Sequence, residues 1–582
     1  MQKGSFGCLF HARRVLAASF AAFHRRPALN SLTPALVTQR AAQRLPRVAL
    51  LLFCAAYVLP GVFGRDPWKN ADVSAFGHMA SIAAGRSGWF SPALAGLPAD
   101  GALVPYWLGA VFIRGLGPWV DPAMAARIPF ALLLVLVLVL TWYATYHLAR
   151  TEAAQPLPFA FGGEATPVDY ARAIADGALL AVMATLGLLQ LGHETTPELV
   201  QLAGATLFLY ALAASPFRRG RSRAAALVAL PAMAASGAPA VAGVLGLVGT
   251  GICARSAYAQ VRATALWVAA AGLIAIACGT ALQAWGWRVA SFETLQPFNL
   301  LRLLFWFTWP AWPLALWTLW RWRSHLLHRH ISVPLGCALT AVCASLVMGG
   351  SDRALMLGVP ALAVLAAFAL PTLQRSAAAA IDWFSVFFFS VCALAIWVIY
   401  VAMHTGVPAK PAANVARLAP DFQPSFSLLA LVFATAGTLA WMWLVRWRTG
   451  RHRHPLWKSL VLPAGGVALC WLLLMTLWLP LLDHARSYRP LLGRIAEHVP
   501  HEACIAAPQL PRALLAALEA MGGYHVDAIT PAELTHCEFL LAAQTPKEPA
   551  ANIPGWQLVP RVPRPTDRQV LPAISRRAPA GR

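Results

Sequence analysis

The sequence predicts a polytopic α-helical membrane protein with about thirteen transmembrane helices and a small α/β domain at the C-terminus. Of its 582 residues, 59% are hydrophobic and 12% are charged, and this charged fraction is about half of what soluble proteins carry. Runs of about 18 or more apolar residues recur between residues 47 and 482. These runs are far longer than barrel strands, so helices are the expected way to satisfy backbone polar groups in lipid.

The apolar runs define the predicted spans. Two prolines and a glycine between residues 224 and 254 leave open whether this part forms two short spans or one broken span. Segment 103–117 is apolar but only about fifteen residues long and contains Arg114, which favours a helix lying along the membrane surface. The predicted spans are roughly 47–63, 124–149, 173–191, 198–215, 224–237, 238–254, 263–283, 299–320, 332–349, 354–371, 383–403, 425–445 and 459–482.

The distribution of basic residues predicts the orientation of the chain. Short clusters between spans, RRGRSR (218–223), RWRSHLLHRH (321–330) and RWRTGRHRH (446–454), contribute to a formal net charge of +23. Cytoplasmic loops of membrane proteins collect Lys and Arg. If the basic N-terminal tail, residues 1–46, is cytoplasmic and 103–117 does not cross, all three clusters are cytoplasmic. The loops are too short to build the stacking surface that nucleic acid needs, so we expect no nucleic-acid partner.

This orientation places several polar segments on the opposite, outer face: the first loop (64–123), 192–198, 349–353 and the tail 483–582, which follows the transmembrane domain 47–482. The sequence of the tail predicts a small α/β domain. Strands are expected in EACIAA, HVDAI, CEFLLAA, WQLVPRV and QVLPAI, and a helix that ends at glycine is expected in RALLAALEAMGG. Cys504 and Cys537 begin two of these strands. Outside the cytoplasm they can form a disulfide, or they can be two buried thiols, and both alternatives stay open.

The first outer loop begins with two carboxylates, Asp66 and Asp72, beside Arg65 and Lys69, and Asp100 follows later in the loop. Paired carboxylates can bind a divalent cation or accept a proton from a nucleophile. Neighbouring cations suit a phosphate group. The alternative is a solvated acidic loop that caps a helix.

Two further outer segments carry charged side chains. HETTPEL offers His193, Glu194 and Glu198, which could ligate a metal ion or could simply mark a helix N-terminus, where proline and an acidic residue are favoured. GGSDR offers Arg353 at the start of a span. An arginine in this position can also serve no specific site and simply extend its side chain so that the guanidinium reaches the membrane surface.

Several strings resemble the GT-C class of membrane glycosyltransferases, in particular the bacterial lipid A aminoarabinose transferases and the protein O-mannosyltransferases. VPYWLGAVF (104–112) resembles the family's Pro-Tyr-Trp-Leu helix. ARIPFALL (126–133) resembles the start of its second span, and RALMLGVPALAVL (353–365) resembles a proline-containing span that begins with arginine. The resemblance covers most of residues 47–480. It implies a catalytic acid soon after the first span and about thirteen spans before a periplasmic C-terminal domain.

The resemblance also implies roles for individual residues. The distance to Trp89 places Asp72 on the catalytic acid, with Asp66, six residues earlier, as second choice and expected to pair with Arg65 or Lys69. Arg353 matches the arginine that binds the donor phosphate. Asp100 falls on an acid whose neighbouring lysine is missing here, so the phosphate-binding role of that lysine is either absent or supplied from elsewhere in the chain, with Lys69 as the candidate. A divalent metal ion, if one is used, is assigned to Asp100, Glu194 and Glu198.

The sequence therefore predicts a polyprenyl-phosphate-sugar-dependent glycosyltransferase of the bacterial inner membrane, with a cytoplasmic N-terminus and a periplasmic C-terminus. Its partners would be the lipid-linked sugar, the membrane lipids and an acceptor that is lipid A, another glycan or a protein. The alternatives are a lipid or sugar transporter without catalysis and an inactive scaffold. Transporters often show internal repeats and charged residues at the membrane midplane, whereas the acids here cluster on one face.

Overall fold

The computed structural model describes residues 33–285, 297–450, 455–544, 554–562 and 571–577. Helices dominate these ranges. The first twelve are α1 (Arg47–Val58), α2 (Lys69–Ala83), α3 (Val104–Leu116), α4 (Pro122–Ala149), α5 (Pro167–Ala184), α6 (Leu188–Leu191), α7 (Pro197–Ala214), α8 (Arg219–Ala234), α9 (Pro239–Ala254), α10 (Ala259–Ala281), α11 (Pro297–Phe307) and α12 (Ala311–Arg321). They are followed by α13 (Arg329–Val347), α14 (Asp352–Met356), α15 (Val359–Ala367), α16 (Arg375–Thr405), α17 (Ala409–Leu418), α18 (Leu428–Thr449), α19 (Lys458–Thr476), α20 (Leu479–Arg486), α21 (Arg489–Ala496) and α22 (Arg512–Ala516).

Seven of the described helices are long and apolar enough to cross a membrane, namely α4, α7, α10, α13, α16, α18 and α19. The longest of the predicted early spans, α4, has 28 residues and is about 42 Å long at 1.5 Å per residue. Other predicted spans are shorter or divided in the structure. The run 299–320 forms α11 and α12, and 224–254 forms α8 and α9. The fold is thus that of a multi-pass helical membrane protein, and the count of about thirteen spans stays a prediction.

Loops that the charge pattern assigned to one face do lie together. On the predicted inner face, the Trp457 indole donates to the Gln43 carbonyl oxygen at 2.8 Å, and Thr33 donates to the Gln155 carbonyl oxygen at 2.9 Å. On the predicted outer face, the Thr195 hydroxyl of the segment 192–198 donates to Asp72 Oδ1 of the first loop at 2.7 Å. The two sets of loops are therefore segregated, while the assignment of one face to the cytoplasm stays a prediction.

The apolar segment 103–117 forms α3, which packs against α2 in the first outer loop. Gly109 allows this close approach, because a Cβ atom there would lie 2.1 Å from the Met79 sulfur. The rings of His78 and Tyr106 are 4.8 Å apart between the same two helices. The packing of α2 against α3 therefore helps to fix the position of Asp72, which lies in the first turn of α2.

The C-terminal tail contains a five-stranded sheet in the segments where the sequence predicted strands. Its strands are β3 (Cys504–Ala506), β4 (His525–Asp527), β5 (Phe539–Gln544), β6 (Trp556–Arg561) and β7 (Leu571–Arg577), in the order β4-β3-β5-β7-β6, after the short pair β1 (Ala93–Leu94) and β2 (Leu97–Pro98) in the first loop. β3 is parallel to β4 and β5, and the other pairings are antiparallel. Cys504 and Cys537 are joined by a disulfide, which is one of the two alternatives left open above.

The tail does not stand apart from the membrane helices. Its apolar core includes Val73, Leu94 and Ala95, which belong to the first outer loop. Arg86 of that loop also forms an ion pair with Glu519 at 2.8 Å. Part of the first loop is thus buried against the tail, which fixes the position of the residues that follow the first span.

Candidate active site

Asp72 joins the first and second outer loops. Trp68 has an extended backbone and immediately precedes α2, and Asp72 lies in the first turn of that helix. Its Oδ2 accepts a hydrogen bond from the Trp68 backbone N–H at 2.9 Å. Its Oδ1 accepts from both the backbone N–H and the hydroxyl of Thr195, each at 2.7 Å. The carboxylate is fully buried, so its hydrogen bonds replace the water that an ion requires.

Two buried arginines lie behind Asp72. Arg65 Nη2 is 3.5 Å from Asp72 Oδ2 and donates to the His193 carbonyl oxygen at 2.7 Å. Arg127, from the start of α4, donates to the carbonyl oxygens of Val62 and Arg65 at 2.9 and 2.7 Å. Burial, aided by the charge of Arg65, lowers the pKa of His193 to about 4, so this ring is neutral near pH 7. The guanidinium groups of Arg65 and Arg127 therefore both lie near the buried Asp72 carboxylate.

Arg353 lies next to the same loop and contacts both of its glutamates. Its Nη2 is 2.5 Å from Glu194 Oε2, its Nη1 is 3.3 Å from Glu198 Oε2, and it also donates to the Thr196 hydroxyl at 3.1 Å. Burial raises the pKa of Glu194; the nearby charge of Asp72 adds to this, and Arg353 opposes it. The predicted phosphate-binding arginine is thus in direct contact with two predicted metal ligands, one of which, Glu194, is the neighbour of Thr195 in sequence.

Asp66 pairs with the segment after the last span. Its carboxylate accepts from Arg489 Nε at 2.8 and 2.9 Å and from the Ser487 hydroxyl at 2.7 Å. The expected pairing with Arg65 was wrong among the described side chains, and the pairing with Lys69 stays a prediction. The reason is that the polar run after the last span folds back onto the first loop. Lys69 is the first residue of α2, but its side chain lies outside the described part of the structure.

Asp100 does not join Glu194 and Glu198, so the predicted metal ligands are not brought together. Asp100 is exposed and forms an ion pair with Arg512 of the tail at 2.8 Å. Both glutamates engage Arg353. Across the described ranges of the chain, no group of three or more His, Cys, Asp and Glu side chains is placed to hold a metal ion. These residues do not fit the proposed ion, and we derive no step through one.

The segment 483–489 contributes residues that the sequence analysis did not single out. The Trp68 indole donates to Asp483 Oδ1 at 2.6 Å, and the centre of its ring is 4.8 Å from the guanidinium carbon of Arg65 and 5.2 Å from that of Arg486. Burial raises the pKa of Asp483 to about 6, against the lowering effect of the indole hydrogen bond. The available signal was the polar run DHARSYR directly after the last span, which parallels GRDPWKNAD after the first.

Comparison of the whole fold with solved structures gives a match over nearly the full length. The structure of ArnT from Cupriavidus metallidurans bound to undecaprenyl phosphate aligns with a TM-score of 0.61 and 14% identity, over 91% of this chain and 97% of that one. The chain has the fold of ArnT. The apo structure of the same protein gives a TM-score of 0.59 with the same identity and coverage.

The resemblance to the lipid A aminoarabinose transferase that the sequence indicated is thus confirmed at the level of the GT-C fold. No family model and no curated protein sequence matches the chain. At 14% identity the structural match establishes the fold alone, so the activity has to be argued from the site.

Proposed function

We propose that this protein is a glycosyltransferase that moves a sugar from a polyprenyl-phosphate donor to an acceptor on the outer face of the bacterial inner membrane. One observation carries the proposal. On the fold of ArnT, whose solved structure is bound to undecaprenyl phosphate, the buried Asp72 joins two outer loops through Thr195, and Arg353 contacts the glutamates on either side of Thr195. A buried carboxylate and a nearby arginine suit a reaction in which a hydroxyl or amine loses a proton while a phosphate leaves.

Arg353 is the proposed binding residue for the donor phosphate. A sugar bound through C1 to a phosphate oxygen leaves negative charge on that oxygen when the bond breaks, and a guanidinium stabilises such charge strongly in a site that excludes water. Glu198 is the weaker partner of Arg353, at 3.3 Å with 17% of its side chain exposed. A phosphate oxygen can therefore replace Glu198, while the buried Glu194 keeps the guanidinium in place.

Asp72 is the proposed base. An ionised carboxylate accepts about four hydrogen bonds, and Asp72 already receives four contacts, from Trp68, Arg65 and the two donors of Thr195. The Thr195 hydroxyl is the donor that can rotate away, because the others are backbone groups or a fixed guanidinium. Its rotation frees Oδ1 to accept the acceptor's proton as the new bond to C1 forms and the bond to phosphate breaks.

The acceptor is proposed to be lipid A, another glycan or a protein, each of which reaches the outer face. The experiment that tests the function is lipid analysis of membranes from cells with and without the protein. Cells that lack it should accumulate a polyprenyl-phosphate sugar, and the wild-type protein should remove the excess while the Asp72→Asn variant should not. An unchanged donor pool, or equal rescue by the variant, would contradict the proposal. Transport without catalysis would change the sidedness of the donor without consuming it.

A further inference from the structure

A cavity on the predicted inner face shares no lining residue with the candidate active site. Its volume is about 730 Å³. Its walls are the end of α9, the start of α13, residues 151–153 after α4, and the loop 255–258. Part of the wall is apolar, because Leu247 and Leu327 line it with 76% and 94% of their surface exposed. The cavity can therefore receive a molecule that has both an apolar and a polar part.

The floor of this cavity contains a buried arginine without a counter-charge. Arg329 is only 8% exposed. Its Nη2 donates to the Leu212 carbonyl oxygen at 2.6 Å and to the Ser215 hydroxyl at 2.9 Å, and both acceptors are neutral. Its Nε and Nη1 are buried and find no hydrogen-bond partner within the described residues. The Cys253 thiol lies nearby, but a thiol is a weak acceptor.

Leaving a guanidinium buried in this way is costly, because a buried charge needs both a counter-ion and satisfied donors. The other groups at the cavity do not provide this. Arg255 is exposed at its edge and makes no ion pair in the part of the chain that the structure describes, and Glu152 is the one carboxylate in the lining. Arg329 is also the first residue of the 19-residue helix α13, whose positive end favours an anion.

We propose that this cavity binds the phosphate group of an anionic membrane lipid, with Arg329 and Arg255 as the phosphate ligands and the apolar wall in contact with the acyl chains. The Nε and Nη1 atoms of Arg329 have no hydrogen-bond partner within the described residues and can donate to a phosphate, and each charge-assisted bond strengthens binding more than a neutral one. The exposed apolar side chains favour a lipid over free phosphate. Anionic lipids are abundant in the cytoplasmic leaflet, which is the leaflet that the basic clusters assign to this face.

The test is a titration of the purified full-length protein, in a neutral detergent, with phosphatidylglycerol, followed by native mass spectrometry. Phosphatidylcholine is the zwitterionic comparison. We expect Arg255→Gln and Arg329→Gln each to weaken phosphatidylglycerol binding about 10-fold or more, the scale of one charge-assisted hydrogen bond. Arg221→Gln is the matched control, because Arg221 is an exposed arginine on the same face outside the cavity.

Three results would overturn the proposal. The first is equal phosphatidylglycerol binding by the wild type and the Arg255→Gln variant, which keeps the test valid even if Arg329→Gln does not fold. The second is loss of binding in Arg353→Gln but not in Arg255→Gln, since the lipid would then occupy the outer site. The third is displacement of the lipid by millimolar inorganic phosphate, which would identify free phosphate as the ligand.

Discussion

Arg353 on the outer face and Arg329 on the opposite face both lie in the first turn of a helix and are both mostly buried, yet their partners differ. Arg353 contacts two carboxylates, Glu194 and Glu198, and a hydroxyl. Arg329 contacts a carbonyl oxygen and a hydroxyl. Carboxylates of the protein therefore neutralise Arg353, and a bound phosphate has to compete with them. Arg329 has neutral partners only and lacks a counter-charge.

The same contrast extends to the residues around each arginine. On the outer face, Asp72 neutralises Arg65, and Asp66 neutralises Arg489. On the inner face, two arginines line the cavity with one glutamate. A site that exchanges charged ligands needs internal counter-ions to remain stable when empty, and a permanently lipid-filled site does not. The difference therefore fits turnover on one face and lasting occupancy on the other.

The largest expected effect is all-or-none and concerns the orientation of the chain in the membrane. Alkaline phosphatase folds into an active enzyme only outside the cytoplasm, so its fusion after residue 582 should be active. A fusion in the loop 255–258 should be inactive and should give a signal with a cytoplasmic reporter instead. The opposite pattern would exchange the two faces and remove both assignments.

The next largest effect is expected at Asp72. Asp72→Asn keeps the size of the side chain but removes its charge and basicity, so sugar transfer in membranes should fall by at least ~10²-fold, the usual scale for a general base. Asp66→Asn is the matched control and should lower the rate of sugar transfer much less. Its partner Arg489 is 57% exposed, and its other hydrogen bond is to Ser487 rather than to Thr195. Full activity of the Asp72 variant would remove its catalytic role.

A smaller effect is expected for donor binding at Arg353. Arg353→Lys keeps the charge but loses the forked geometry, so the Kd for undecaprenyl phosphate should rise about 10-fold. Glu198→Gln removes the competing carboxylate, so the Kd should stay the same or fall. Removal of the whole arginine is a poorer test, because it would leave Glu194 buried without a partner. A Kd that is insensitive to Arg353→Lys would exclude this arginine as a phosphate ligand.

The smallest effect is expected on stability at Asp483. Its pKa is raised from 3.8 to about 6 by burial, so the folded protein favours the protonated form and loses stability as pH rises through this interval. Asp483→Asn should therefore stabilise the protein by about 1–3 kcal/mol at pH 7 and have little effect at pH 4.

Thermal unfolding in detergent at both pH values measures this difference. Asp421→Asn is the control, because Asp421 is 73% exposed in its ion pair with Arg494 and its replacement should change stability little. A destabilised Asp483→Asn protein at pH 7 would mean that the charge of Asp483 supports the outer site.

Much of the architecture could be predicted from local patterns. Apolar runs located the membrane helices, and alternating strand and helix signals located the sheet of the tail. The segregation of loops followed from the basic clusters. The contact between Asp72 and Thr195 could not be predicted, because 123 residues separate them and hydrogen-bonding partners at that distance leave no local signal.

The errors have the same origin. Asp66 was expected to pair with cations beside it in sequence, and Asp100 was assigned by the family resemblance, but their partners Arg489 and Arg512 come from the tail, which folds over the first loop. Arg329 belongs to the basic cluster 321–330, which the sequence analysis interpreted only as a sign of a cytoplasmic loop. Only the structure distinguishes this one buried arginine from the exposed ones around it.

The most direct test of the account is release of free polyprenyl phosphate by the purified protein. Lipid-linked sugars extracted from cells that lack the protein would be the donor, and membranes of the same cells would supply the acceptor. The wild type and the inner-face control Arg221→Gln should release polyprenyl phosphate at the same rate, and Asp72→Asn should be at least ~10²-fold slower. No release by a wild-type protein that binds undecaprenyl phosphate would contradict glycosyl transfer at the outer site.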